Sequence, residues 1–173
     1  MRTVTFGVAC SLDNFIARKD HSVDWLHWSK DVVAITNEMW PKFDTVVMGR
    51  KTYEAAVAAG GGGYPSVINY VFSRTLPADS ISQVEIIAED AADFVAHLKE
   101  KPGKGICVIG GGELANALFV ADLIDEVGLN IHPILLGDGI PAFRALQHVI
   151  RLELVESRVL DGGCVFVMYR VPH

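Results

Sequence analysis

Apolar and polar positions alternate at the start of the chain. Val4, Phe6, Val8 and Cys10 fall on one side of an extended segment, and Thr5, Gly7 and Ala9 on the other. That period of two predicts a buried strand over 4–10. The period then lengthens. Val32, Ile35, Met39, Trp40 and Phe43 share one helical face, which predicts a helix over about 30–43. Short apolar runs predict further strands over 44–48, 67–72, 82–88, 105–109 and 126–131. Helices are expected between them, over about 49–59, 91–101 and 113–120. Asp90 reads as the cap of the second of these, and Pro102-Gly103 as its stop. Two last strands, 151–160 and 164–171, turn back on each other at Asp161-Gly162-Gly163.

Strands alternating with helices up to about residue 131 predict an α/β fold. Its sheet is mostly parallel, covered by helices on both faces, with an antiparallel hairpin at one edge. No linker, repeat or low-complexity stretch interrupts 1–173, so a single domain is expected.

Composition narrows the function. Half of the residues are hydrophobic and 21% are charged, the balance of a compact globule with a sizeable core. The net charge of −6 argues against a nucleic-acid surface, though local cations can still hold one phosphate. Cys10, Cys107 and Cys164 lie in apolar runs without a C-x-x-C. Buried thiols in a reducing cytoplasm are expected, with neither disulfides nor zinc. No stretch is apolar enough to span a bilayer, and the scattered histidines give a metal site no support.

Candidate chemistry gathers where strands end. The run 105–109 passes into Gly110-Gly111-Gly112-Glu113-Leu114-Ala115, a strand, tight turn and helix start. Glycine lets the backbone approach a bound group, and unpaired N–H groups opening a helix suit a phosphate. Gly110, Gly112 and Ala115 match the spacing G-x-G-x-x-[G/A]. The second turn is Gly49-Arg50-Lys51-Thr52-Tyr53. Two cations at a helix N-terminus oppose the dipole. A bound anion would relieve them; a solvated basic pair is the other reading. The third is Ser73-Arg74-Thr75.

In a parallel sheet such turns share the rim formed by the carboxyl ends of the strands. One suits a pyrophosphate and the cations a second phosphate, such as the 2′-phosphate of NADP. NAD-type sites place an acid about twenty residues past the glycines. Asp122, Asp125 and Glu126 come too early and the next acid is Asp138, which favours NADPH. Asp13 and Asn14 stand in the loop after the first strand, either touching ligand or serving as turn residues. Asp31 opens the first long helix, as a dipole partner or as a proton partner for a heterocycle.

Three motifs, 47–54, 71–74 and 108–114, occur in the order and separation of the dihydrofolate reductase superfamily, which the chain resembles over essentially its whole length. Ser11-Leu12-Asp13-Asn14-Phe15-Ile16-Ala17 and the stretch 133–143 are more similar to one branch. That branch is the reductase domain at the C-terminus of the bifunctional riboflavin-biosynthesis deaminase-reductase, and its standalone relatives.

The resemblance implies a doubly wound sheet of about eight strands and NADPH-dependent reduction of a small pyrimidine- or pterin-like metabolite. By the family pattern Gly49, Arg50, Lys51 and Thr52 bind the adenosine-side phosphates, and Ser73 and Arg74 flank the 2′-phosphate. Gly110, Gly111, Gly112, Glu113 and Leu114 hold the pyrophosphate, and Ala9 and Ile16 border the nicotinamide. Asp13, Trp25 and Tyr53 are expected near the substrate, with Asp31 as the catalytic proton donor. Pairing into homodimers is a further implication. The zinc deaminase signature is absent, and the Leu-Pro-Trp of folate reductases is replaced by Val23-Asp24-Trp25. A dihydrofolate reductase and a non-catalytic nucleotide-binding module are the alternatives.

Overall fold

In the computed structural model, which describes residues 1–77 and 83–173, the chain begins with strand β1 (Val4–Ser11) and a short β2 (Phe15–Ala17). Helix α1 (Lys30–Met39) leads to β3 (Phe43–Gly49), α2 (Arg50–Ala58), β4 (Ile68–Phe72) and β5 (Glu85–Ile87). Then come α3 (Ala91–Glu100), β6 (Gly105–Ile109), α4 (Gly112–Val120) and β7 (Glu126–His132). The two-residue β8 (Ile140–Pro141), β9 (Glu153–Val159) and β10 (Val165–Arg170) complete it.

Eight strands form one sheet in the order β5-β4-β3-β6-β1-β7-β10-β9. All neighbours up to β7 are parallel, and β10 runs against both β7 and β9. The fold is therefore the mostly parallel α/β sheet with a C-terminal antiparallel hairpin that the patterning predicts, doubly wound and eight-stranded as the family resemblance implies. From β1 the chain winds to one side through β3, β4 and β5. It returns through β6, then crosses β1 to reach β7. The carboxyl ends of β1 and β6 thus flank the point where the winding reverses, the place where such sheets bind ligands.

Local chemistry explains most element boundaries. Ser29 caps α1, its hydroxyl accepting from the Val32 N–H at 3.2 Å. Asp90 caps α3 through the N–H groups of Ala92 and Asp93. The helix expected to reach residue 43 stops at Met39. Pro41 lacks an N–H, so Trp40–Lys42 tightens into one 3₁₀ turn, and Phe43 passes into β3, where it is buried. The strand expected over 82–88 is observed over Glu85–Ile87, and Ser82 lies outside the described residues.

One pairing has no counterpart in the sequence pattern. Strands β2 and β8 form a separate antiparallel ribbon. Around it, the Ala142 N–H donates to Asn14 O and the Leu12 N–H to Ile134 O. The loop after β1 and the loop after β7 are thereby stitched together.

The core is asymmetric about the sheet. Val4 and Phe6 of β1 pack with Leu98 of α3 and Leu118 and Phe119 of α4. The Phe6 ring meets Phe119 and Phe143 edge-on, at 5.8 and 5.5 Å between centroids. On the opposite face Val32 and Ile35 of α1 pack with Phe166 and Met168, while Tyr53 of α2 packs with Val46, Met48 and Val71. Between α1 and α2 the sheet is left open.

Candidate active site

That opening is a cleft of about 1080 Å³. Thr5, Gly7 and Ala9 of β1, with Gly128 of β7, are among the residues that form its wall. A Cβ at Gly7 would come no nearer than 3.6 Å to the Cys107 sulfur, so space is not what keeps this position bare.

The three strand-end turns lie on one border of this cleft. In register, Gly49 of β3 pairs with Phe72 of β4, and Met48 of β3 with Ile109 of β6. Since these strands are parallel, the turns that follow emerge at one level. They also touch. The Arg50 guanidinium donates to Thr75 Oγ1 at 2.8 Å, and a Cβ on Gly110 would fall 2.5 Å from Thr52 Oγ1. Gly110 and Gly111 have φ of +62° and +61°, a conformation that side-chain-bearing residues avoid. Glycine is thus required at 110 by both backbone and neighbour.

These turns present donors to the cleft. The first helical bond of α4 runs from the Ala115 N–H to Gly111 O, leaving the N–H groups of Gly112, Glu113 and Leu114 without helical acceptors. The Ser73 hydroxyl oxygen accepts from the N–H groups of Thr75 and Leu76 and stands 3.5 Å from Thr75 Oγ1, where either hydroxyl can donate. Arg50 also approaches Glu54 at 3.6 Å. Lys51 and Arg74 are exposed on the wall, and neither has an ion-pair partner among the described residues. The Glu113 carboxylate is taken by Arg144 at 2.9 Å. Ala9, Ile16, Gly49, Arg50, Lys51 and Thr52 all line the cleft, as do Ser73, Arg74 and the run from Gly110 to Leu114.

Four other candidates are placed elsewhere. Asp31 is exposed at the start of α1, where Oδ2 accepts the Asp161 N–H at 3.0 Å, tying the helix to the β9–β10 turn. Asp13 accepts the Ser11 hydroxyl and the N–H groups of Leu136 and Gly137. The Ser11 bond, with the two backbone donors behind it, holds this carboxyl below the usual range, so it serves as an anionic anchor for the loop after β7. Tyr53 is buried in the apolar cluster under α2. Trp25 packs edge-on against the His132 ring at 5.4 Å between centroids, behind the cleft wall.

The end of the cleft beside α1 is instead lined by His27, Trp28, Phe166, Met168, Asn130 and His132. Asn130 and His132 escape a reading based on motifs. Their signal is nonetheless present: Gly128, Asn130 and His132 interrupt an apolar strand at a period of two, the mark of one face turned away from the core. His132 is buried, and loss of hydration, reinforced by nearby His27, lowers its pKa below the usual value, favouring the neutral ring. Burial pushes the Cys107 thiol up to about 12, so this cysteine on the wall is no nucleophile. Among the described residues no three His, Cys, Asp or Glu side chains are grouped to hold a metal, and no helix is long and apolar enough to cross a membrane.

Comparison with known proteins accounts for this architecture. The family described as the RibD C-terminal domain matches residues 2–166. The chain belongs to that family. Two relatives in Bacillus subtilis (strain 168) are uncharacterized proteins. YwjB is 36% identical over 155 residues, covering 88% of each chain. YyaP is 30% identical over 184 residues, covering 97% of this chain and 94% of its own. A solved structure from Shewanella sp. PV-4, provisionally named as a riboflavin biosynthesis protein, superposes with a TM-score of 0.80. It is 29% identical, and each chain is covered completely.

A second RibD-type neighbour is more distant. The Thermotoga maritima diaminohydroxyphosphoribosylaminopyrimidine deaminase/5-amino-6-(5-phosphoribosylamino)uracil reductase is 17% identical with a TM-score of 0.74. This chain is covered to 99% but spans only 57% of that protein, and the likeness there is one of fold.

Proposed function

We propose that this RibD C-terminal domain protein is an NADPH-dependent reductase of a small pyrimidine- or pterin-like ring. The observation that carries the reading is the pair of cations Lys51 and Arg74, without ion-pair partners among the described residues, on the border that also holds the Gly110–Gly112 turn. Exposed cations of this kind, beside helix N–H groups that have no helical acceptor, fit a ligand with separated phosphates. The donor set matches NADPH in kind: main-chain N–H groups at 112–114 for a pyrophosphate, and Ser73 and Arg74 for a 2′-phosphate. When bound, the dinucleotide supplies the hydride. The protein's task is to hold it along β1 and to keep water from the ring beside it.

The aminopyrimidine class extends the reductase activity named for the Thermotoga protein. Folate reduction is disfavoured by the placement of acids. The carboxylates on the wall, Glu89, Asp90 and Glu113, all stand at the turns after β5 and β6, and Asp31 is engaged outside the cleft. The proton for the reduced ring then comes from solvent or from His27. A cytoplasmic homodimer completes the proposal, and sedimentation of the purified protein tests the assembly.

Arg74→Ala provides the sharpest test. Loss of a hydrogen bond to a charged group weakens NADPH by about 1.5–3 kcal/mol, while NADH binding stays unchanged. Equal losses for the two nucleotides, measured by titration calorimetry, would reject the 2′-phosphate assignment. Failure of the unaltered protein to bind NADPH would reject the reductase.

A further inference from the structure

The α1 end of the cleft contains a polar group whose hydrogen bonding is incomplete. Asn130 and His132 follow each other on the same face of β7, and both line the cleft. The Asn130 amide stands 3.3 Å from His132 Nε2, and the amide oxygen is enclosed without any protein partner. A buried amide end with no partner costs about 1–3 kcal/mol.

Protons around the imidazole decide how the amide is used. Nδ1 faces two donors: the His27 N–H at 3.4 Å and the Cys164 sulfur at 3.5 Å. Burial raises the Cys164 thiol's pKa, so the sulfur keeps its proton. Nδ1 therefore accepts, and a neutral ring must carry its proton on Nε2. An Nε2–H needs an acceptor, and the neighbouring group is the Asn130 amide. The two ends of that amide have the same shape and exchange by a half-turn. With Oδ1 toward Nε2–H, the histidine is satisfied at both nitrogens, and the amide NH₂ occupies the end that has no protein partner.

The geometry points to Asn130 as a substrate-binding residue, its NH₂ donating to a carbonyl oxygen of the bound ring, and to His132 as the positioning residue that fixes the amide. This assignment rests on the reductase reading and deepens it. The ligand class is an oxo-substituted nitrogen heterocycle.

The test uses the full chain with saturating NADP⁺ and two ring probes. 5,6-Diaminouracil offers ring carbonyls, and 4,5,6-triaminopyrimidine has none. Titration calorimetry is expected to give tighter binding of the dioxo ring by unaltered protein. Asn130→Asp, which removes the donor, should weaken that ring at least tenfold and leave the triamino ring and NADP⁺ within about twofold, an expectation set by a charge-free amide bond to a carbonyl. Nitrogen-15 spectra of unaltered protein should show His132 as the Nε2–H tautomer, a readout that needs no variant. An Nδ1–H tautomer, equal losses for the two rings, or no loss for either would overturn the assignment, as would a dioxo ring that fails to bind. Protein that binds NADP⁺ and fails only these points keeps its reductase role. Protein that ignores NADP⁺ loses both.

Discussion

The two faces of strand β1 are built from the same eight residues and do opposite jobs. Val4, Phe6 and Cys10 are fully enclosed in the core beneath α3 and α4. Thr5, Gly7 and Ala9 wall the cleft on the other side. Alternation puts consecutive side chains on opposite faces, so a strand can fill one side with bulk and clear the other within four residues. The division teaches that stability and ligand access are separable here, one residue apart.

Substitutions on either side can break or sharpen that division. The largest effect is expected from the filled face. Phe6→Ala removes a ring that meets two others edge-on, and such truncations cost about 3–5 kcal/mol. Urea unfolding should show this, while the fraction still folded binds nucleotide normally. If nucleotide affinity fell with Phe6, the two faces would not be independent.

Gly110→Ala is next. It forces a Cβ onto Thr52 and a side chain into positive φ, at a cost of about 1–3 kcal/mol for the strained backbone. Nucleotide affinity should fall further than stability does, because two turns must separate. Gly7→Ala comes third. The added methyl has ordinary contact with Cys107, so stability should rise by about 0.5–1 kcal/mol as strand entropy is reduced. Nucleotide affinity should drop in the same protein; an unchanged affinity would show that the floor at Gly7 is not used.

The smallest effect concerns His132. Its folded pKa lies below its ordinary value near 6.5, so the unfolded chain takes up the proton first as pH falls. Its contribution is thus undiminished above about pH 6.5 and is lost as pH drops toward the lower folded value. Unfolding measured across this window should show a shallower acid decline for His132→Gln. An identical decline would mean that the ring charges freely in the folded state.

How much of this was legible in the sequence depends on whether the signal was local. Asp90 and Pro102-Gly103 bracket α3 because capping and chain breaking act within a few residues. The turns at 49–52, 73–75 and 110–112 announce themselves through glycines and cations at strand ends. Their meeting on one border follows from parallel pairing, which the alternation of elements already implies. The end of α1 was hidden because the apolar spacing runs past Pro41 into Phe43. The substrate end is harder: whether Trp25 faces a ligand is set by a loop path over 18–29 that no periodicity encodes, and Asp13 and Asp31 are taken by partners more than a hundred residues along the chain. Asp31 and Glu38 illustrate this. Both bind the hairpin, through Asp161 and Arg158, and so hold α1 at the side of the cleft without entering it.

The β2–β8 ribbon has a consequence for the order of assembly during synthesis. Residues 11–17 leave the ribosome early, yet their partners at 134–142 are made some 120 residues later. Contacts so far apart are the slow ones to form. The nascent chain can therefore pair β1, β3, β4 and β6 well before the mouth above them takes shape, and the pocket around Phe6 closes only when Phe143 arrives. A chain released short of residue 140 would lack the entrance together with Phe143 and the β9–β10 edge of the sheet.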